Sequence, residues 1–75
     1  MDELREILNG IHPEVDYDTE EGLIDQRIYD SFDVITLVGE LMDTFDVEIT
    51  AEQMIPENFN SMAAIRDLIE RLQDE

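Results

Sequence analysis

Residues 30–45 read DSFDVITLVGELMDTF, and they contain a long amphipathic pattern that begins at a serine flanked by aspartates. Apolar residues in this stretch recur at intervals of three and four positions, which is the spacing of one face of an α-helix. The pattern therefore predicts a helix that starts near Ser31 and buries one side. The apolar face consists of Val34, Leu37, Val38, Leu41 and Phe45, with Met42 at its edge.

A second stripe lies on roughly the opposite side of the same predicted helix. It mixes apolar, small and acidic side chains, and a solvated helix face is its simplest interpretation. Large apolar side chains beside a rim of carboxylates are also typical of interaction surfaces, so the stripe is a candidate docking face. Its members are Phe32, Ile35, Thr36, Gly39, Glu40 and Asp43.

The segment before this helix predicts a first helix and a long connection. Apolar residues recur at helical spacing from Leu4 onward. Asp2 is a candidate cap at the start of this helix, and Gly10 together with Pro13 is expected to end it. Residues 12–29 then form an acidic connection, and connections of this length are usually functional or disordered.

The second half of the chain predicts two further helices. Thr50 and Gln53 have the spacing of a capping box at the start of a short third helix. Pro56 is expected to end that element, because the residue before a proline avoids helical geometry. It can begin another short turn, which Phe59 would anchor in the core. Asn60 or Ser61 is expected to cap the final helix.

Together these patterns predict one all-α domain over residues 1–75. The expected architecture is a four-helix bundle, with three main helices, a short third helix and a long loop between helices 1 and 2. Its predicted core consists of Leu4, Ile7, Leu8, Val34, Leu37, Val38, Leu41, Phe45, Ile49, Phe59, Ile65, Ile69 and Leu72.

The charge of the chain is strongly unbalanced. It has 21 acidic residues and four basic ones, for a formal net charge of −17. Such a field repels nucleic acid and anionic membranes and attracts basic proteins, so basic protein partners are expected and nucleic acid is not. Acidic chains are often disordered when hydrophobic residues are few, but here 43% are hydrophobic and they are periodic. A folded, self-repelling monomer is expected.

Neither export nor membrane insertion is indicated by the sequence. The chain opens directly into a helical pattern without a basic n-region, and no apolar run is long enough to span a bilayer. The chain has no cysteine, which fits a reducing compartment, so a cytoplasmic location is expected. Any thiol that this protein uses must be attached to it.

Ser31 is a candidate for modification and not for catalysis. The only histidine, His12, precedes Pro13 in another segment, so no base for a nucleophilic serine is evident nearby. A hydroxyl at a helix N-terminus is exposed and lies at the positive end of the helix dipole. Such a hydroxyl can carry a phosphate group.

The sequence Asp30-Ser31-Phe32-Asp33, with the helical pattern after it, resembles the modification motif of acyl carrier proteins. The likeness extends through residues 23–25 (LID) and 56–61 (PENFNS), and it covers nearly the whole chain. It implies that a phosphopantetheinyl transferase attaches 4′-phosphopantetheine to Ser31, with Asp30 in the attachment motif. The thiol of that arm would carry acyl intermediates as thioesters in fatty acid, polyketide or related biosynthesis. The chain would then be a substrate of enzymes and not an enzyme itself.

The resemblance also implies docking and cargo sites. Acyl-transferring, condensing or ligase enzymes with basic patches would dock on Phe32, Asp33, Ile35, Thr36, Gly39, Glu40 and Asp43. A pocket between the second helix and the third and fourth helices would shelter the acyl chain, with walls formed by Leu37, Leu41, Ile49, Met54 and Ile65. Residues 28–29 are Ile-Tyr, where carrier domains of megasynthases often have Gly-Gly, and this favours a free-standing protein.

Three alternative functions stay open. A peptidyl or aminoacyl carrier of a nonribosomal-type pathway would use the same arm, and an unmodified acidic helical adaptor would use the same exposed stripe. The third alternative is a calcium-binding module. Asp16, Asp18 and Glu20 are spaced like the first ligands of an EF-hand loop, but its sixth position is Glu21 and its twelfth is Arg27. The calcium pattern is therefore incomplete, and no dedicated metal site is expected.

Overall fold

A computed structural model describes residues 2–74. Within that part of the chain the regular secondary structure is entirely helical, so the all-α prediction is confirmed. The predicted capping role of the Asp2 side chain lies outside what is described. The elements are α1 (Asp2–Ile11), α2 (Ser31–Phe45), a 3₁₀ helix (Ala51–Gln53), α3 (Pro56–Phe59) and α4 (Met62–Gln73).

Helix α2 has a capping residue at each end. Asp30 is the N-cap in extended geometry, and its side chain accepts a hydrogen bond from the backbone N–H of Asp33 at 2.9 Å. At the other end, Asp46 adopts the left-handed conformation that often terminates a helix (φ 54°). The predicted helix and its start at Ser31 are confirmed.

Helix α1 ends immediately before the predicted connection, but Gly10 does not end it. Gly10 lies inside the helix with an ordinary negative φ, and the N–H of His12 still bonds to the carbonyl of Leu8 at 2.9 Å. The expectation that Gly10 helps to end α1 was therefore wrong, because a glycine terminates a helix only when it takes up left-handed geometry. Helix α1 ends at Ile11, two residues before Pro13.

The predicted short third helix forms before Pro56, and a separate element begins at Pro56, as expected. Thr50 and Gln53 do form the expected cap, since Gln53 Oε1 accepts from the Thr50 N–H at 3.0 Å, but the turn they start is 3₁₀. Ile55 is extended (φ −112°, ψ 152°), as expected for a residue before proline. Pro56 then opens α3, and Phe59 is buried, as predicted.

Helix α4 is capped by one of its two candidates. The hydroxyl of Ser61 accepts a hydrogen bond from the N–H of Ala64 at 3.0 Å, which confirms the capping prediction for Ser61. Asn60 is not the cap. Its side-chain oxygen instead accepts from the N–H groups of Ile24 and Asp25, both at 3.0 Å.

The core contains most of the residues that were predicted and some that were not. Four predicted members, Ile7, Val34, Phe45 and Leu72, pack against it only partly buried. Tyr17, Leu23, Tyr29 and Leu68 are buried but were absent from the predicted core. The complete buried set is Leu4, Leu8, Tyr17, Leu23, Tyr29, Leu37, Val38, Leu41, Ile49, Phe59, Ile65, Leu68 and Ile69.

Two buried tyrosines fix the connection between α1 and α2. The hydroxyls of Tyr17 and Tyr29 lie 2.7 Å apart, and both approach the carbonyl oxygen of Leu8, at 2.9 and 3.2 Å. Tyr17 also approaches the carbonyl of His12 at 2.9 Å. Each hydroxyl has one proton, so the pair shares its donors among these acceptors. Desolvation raises the pKa of both phenols, which therefore stay neutral and act as structural links.

The described helices are too short and too polar to cross a bilayer. The longest, α2, has 15 residues, and a membrane-spanning helix needs about 20 mostly apolar ones. The Cα radius of gyration is 11.1 Å, close to the value of about 11 Å for a compact chain of this length.

Candidate functional site

Ser31 is the first residue of α2 and is exposed to solvent. Its hydroxyl forms no hydrogen bond with another residue that the structure describes. The adjacent Asp30 and Asp33 form a reciprocal capping box, in which Asp33 Oδ2 accepts in turn from the Asp30 N–H at 3.4 Å. These carboxylates are therefore engaged with the helix start, and the serine hydroxyl is left accessible at the positive end of the helix dipole.

His12 ties the connecting loop to the start of α2. Its Nε2 lies 2.7 Å from Asp33 Oδ2, and its Nδ1 lies 2.8 Å from Glu14 Oε1. The ring also packs on Tyr29, with ring centroids 4.9 Å apart. Because carboxylates engage both ring nitrogens, the imidazole is not placed to take a proton from Ser31.

This contact moves the pKa values of its members in opposite directions. The hydrogen bond to Asp33, aided by the one to Glu14, raises the pKa of His12 above its ordinary value of 6.5. The same hydrogen bond with His12 holds the pKa of Asp33 below its ordinary value of 3.8. The two carboxylates therefore stabilise the charged imidazolium relative to the neutral ring.

Replacing His12 with glutamine should remove one component of the pH dependence of stability. A group whose pKa is raised by folding stabilises the protein fully below its unfolded pKa of 6.5, and that stabilisation is lost as the pH rises through the folded value. Urea unfolding between about pH 5.5 and about pH 9 measures this effect. The stability difference between the parent and His12→Gln should be largest at the acidic end and shrink on raising the pH. A difference that does not change with pH would contradict the prediction.

An open apolar cavity of about 380 Å³ lies beside Ser31. It separates the start of α2 from the segment that leads into α3. Its mouth includes some of the most exposed apolar side chains of the molecule, among them Ile35 (63% exposed), Met54 (37%) and Ile55 (41%). The full lining is Ile24, Tyr29, Asp30, Ser31, Val34, Ile35, Met54, Ile55, Pro56 and Phe59.

The structure brings only one of the five predicted acyl-pocket residues to this cavity. That residue is Met54. Leu37, Leu41, Ile49 and Ile65 are buried in the core, because the inward face of α2 packs directly against the other elements. The cavity instead opens along the edge of α2 that carries Val34 and Ile35. The Ile55-Pro56 dipeptide lines the side of the cavity opposite α2, and it could have been recognised from the sequence. The residue before a proline avoids helical geometry, so an exposed apolar Ile55 outside a helix was predictable.

The predicted docking residues are exposed, with one exception. Phe32 is 81% exposed, and Ile35, Thr36, Gly39, Glu40 and Asp43 also face solvent. Asp33 is half-buried and paired with His12, so its carboxylate is engaged within the molecule. The sequence pattern predicted one continuous docking surface, but in the structure its residues border two separate sites. Ile35 borders the cavity beside Ser31, and Thr36, Glu40 and Asp43 border a separate groove between α1 and α2.

The incomplete calcium pattern does not converge on a site. Asp18 forms an ion pair with Arg5 at 2.7 Å, and Glu20 accepts a hydrogen bond from the N–H of Gly22 at 3.0 Å. Asp16 accepts from the N–H of Asp18 at 3.1 Å. Within residues 2–74, no three potential ligands are grouped closely enough to hold a metal ion.

Comparisons of this chain with protein-family models, with curated proteins and with solved structures found no match. A functional assignment therefore depends on the residues and geometry described above. Their principal elements are an accessible serine at the start of a capped helix, an apolar cavity beside it and an acidic surface around it.

Proposed function

We propose that this chain is a carrier protein that receives 4′-phosphopantetheine on Ser31 and carries acyl groups as thioesters on that arm. The observation that carries the proposal is the placement of Ser31, exposed at the first position of a 15-residue helix and bordering an apolar cavity. A catalytic serine would need a base, and His12 is held between two carboxylates instead.

The start of α2 fits a phosphodiester on Ser31. A transferase would direct Ser31 Oγ at the pyrophosphate of coenzyme A, forming an Oγ–P bond and breaking the anhydride bond. The adenosine bisphosphate portion would leave, and the serine proton would pass to a base of the transferase. The modified oxygen would lie at the positive end of the α2 dipole, which favours negative charge. The Asp30–Asp33 capping box keeps the helix start rigid while this occurs.

The adjacent cavity fits the apolar part of such an arm or its cargo. Its volume of about 380 Å³ lies within the range of about 300–1,000 Å³ that is usual for small-ligand sites. The flexible thioether of Met54 at the wall can repack around guests of different shape. The arm would supply the thiol that the 75-residue sequence lacks.

The acidic surface supports short-lived contacts with basic partner enzymes. Phe32 and Ile35 provide exposed apolar contacts next to the serine, and Glu40 and Asp43 provide charge. Electrostatic attraction raises association rates more than it raises affinity, which suits a shuttle between enzymes. The proposed partners are acyl-transferring, condensing and ligase enzymes of fatty acid, polyketide or related biosynthesis. The carrier itself would be a cytoplasmic four-helix bundle. An aminoacyl or peptidyl cargo would use the same attachment.

Intact-protein mass spectrometry tests the proposal directly. The chain is incubated with coenzyme A, Mg²⁺ and a broad-specificity phosphopantetheinyl transferase. We expect one phosphopantetheine to be added to the parent protein and none to Ser31→Ala. Ser61→Ala is the matched control and should be modified like the parent, because the Ser61 hydroxyl caps α4. Far-ultraviolet circular dichroism, which measures helix content, verifies that each variant is folded.

Two results would overturn the carrier assignment. The first is an unchanged mass for a folded parent protein with several transferases. The second is modification of Ser31→Ala, which would place the attachment elsewhere. Either result would favour an adaptor that uses the same exposed apolar and acidic side chains without modification.

A further inference from the structure

Helices α1 and α2 enclose a second groove, on the side of α2 away from the cavity beside Ser31. It has a volume of about 610 Å³. Glu3 and Glu6 line it from α1, and Glu40 and Asp43 line it from α2. All four carboxylates are exposed, and none forms an ion pair with a residue that the structure describes. Four negative charges on facing walls concentrate a field that favours a cationic occupant.

The α1–α2 groove also has apolar lining residues. Ile7 and Ile11 are only partly buried, and they line the groove together with the four carboxylates. An apolar lining beside charged groups matches an occupant with aliphatic side chains on one face and cationic groups beside them. A small metal ion or a free polyamine would leave this apolar lining unused.

Gly10 supports the same conclusion independently of charge. It lies in α1 and lines the groove, and a Cβ atom there would meet nothing within 4 Å. Its φ is not positive, so the helix itself does not require a glycine. A glycine inside a helix costs about 0.5–1 kcal/mol relative to alanine, and one of its uses is to let another chain approach the backbone closely.

We propose that the α1–α2 groove docks a basic amphipathic segment of a partner protein. Arginine or lysine side chains of that segment would pair with Glu3, Glu6, Glu40 and Asp43, and an aliphatic side chain would rest on Ile7 and Ile11 above Gly10. The groove volume admits several side chains of one segment and not a whole helix. The site reaches α1, so it extends beyond the docking stripe on α2, and it does not depend on modification of Ser31.

A synthetic amphipathic helical peptide is the probe, with leucine at intervals of three and four positions along one face and arginine on both sides of that face. It is titrated into ¹⁵N-labelled protein, and amide chemical shifts report the contact. We expect the largest shifts at Glu6, Gly10 and Glu40. The double variant Glu6→Gln/Glu40→Gln should weaken binding about tenfold or more, and Glu57→Gln/Glu70→Gln, with the same change in net charge, by about twofold at most.

A steric pair separates entry into the groove from simple charge attraction. Gly10→Gln keeps every charge and places a side chain in the groove, so it should weaken peptide binding about tenfold. It also improves helix propensity, so the variant should unfold at a higher urea concentration than the parent. Ala63→Gln is the control, since Ala63 is exposed on α4 and lies outside both the groove and the predicted docking residues. It should bind the peptide like the parent.

Three outcomes would overturn this inference. The first is an equal loss of peptide affinity in the two double variants. The second is an unchanged affinity of Gly10→Gln for the peptide. The third is a set of amide chemical-shift changes centred on Phe32 and Ile35. The titration uses unmodified protein and is repeated on Ser31→Ala. Failure of the groove is therefore distinguishable from failure of the carrier proposal, which is measured by mass.

Discussion

Replacing Leu23 with alanine should lower the free energy of unfolding by about 2–5 kcal/mol, although Leu23 lies in a connection and not in a helix. Its side chain is fully buried. Its backbone is held from both sides, because its N–H donates to the Asn60 carbonyl at 2.9 Å and its carbonyl accepts from the Tyr29 N–H at 2.9 Å. The surroundings cannot collapse into the space, so the lost packing is added to the lost transfer free energy.

Urea unfolding followed by circular dichroism measures this loss. A domain of this length has a total stability of only about 4–11 kcal/mol, so the parent and the variant are compared in the same added salt, which screens the excess negative charge. Ile24→Ala is the matched control and should lose less, since Ile24 is only partly buried. A loss below about 1 kcal/mol for Leu23→Ala would show that this side chain is not part of the core.

Replacing Asn60 with alanine should cost about 1–3 kcal/mol, because it leaves two backbone N–H groups without their acceptor. Asn60 Oδ1 accepts from Ile24 and Asp25, and its Nδ2 donates to Asp25 Oδ2 at 3.1 Å. One side chain thus holds the loop that leads to Ser31 against the start of α4. Unfolding measurements give the total loss.

Amide hydrogen exchange gives a local test of the same substitution. In Asn60→Ala the amides of Ile24 and Asp25 should exchange faster than in the parent protein. The amide of Leu23 is an internal control, because its acceptor is the backbone carbonyl of Asn60, which the substitution keeps. Asn58→Ala should cost about 1 kcal/mol and leave these amides unchanged, since the Asn58 side chain donates to the Gln53 carbonyl instead. Equal exchange at Ile24 in the parent and Asn60→Ala would contradict the prediction.

The helices were predictable because their signals are local. The three- and four-residue spacing from Val34 to Phe45 locates α2 and its buried face, and Ser61 caps α4 through a residue three positions away. The sequence did not predict the local geometry correctly where a segment can adopt either of two conformations. Gly10 can end or continue a helix, and the Thr50–Gln53 box can start a 3₁₀ or an α-turn, so the outcome depends on the segments that pack against them.

The candidate site divides in the same way. The serine at a helix start and the exposed Phe32 follow from residues 30–45, and the net charge follows from the composition. The cavity beside Ser31 does not, because it combines Ile24 of the loop, Val34 of α2 and Ile55 before α3. Four of the five walls predicted from resemblance, Leu37, Leu41, Ile49 and Ile65, are buried core residues and do not line this cavity.

Local pattern was therefore sufficient for the helical class and the capped start of α2, because each depends on neighbours within about one helical turn. The strongly acidic character follows from composition alone. Contacts between distant residues required the folded chain. His12 meets Asp33 across 21 positions, Asn60 meets Ile24 across 36, and the α1–α2 groove joins Gly10 to Glu40. No short-range spacing encodes such pairs, since they arise only when burial of the shared core brings the segments together.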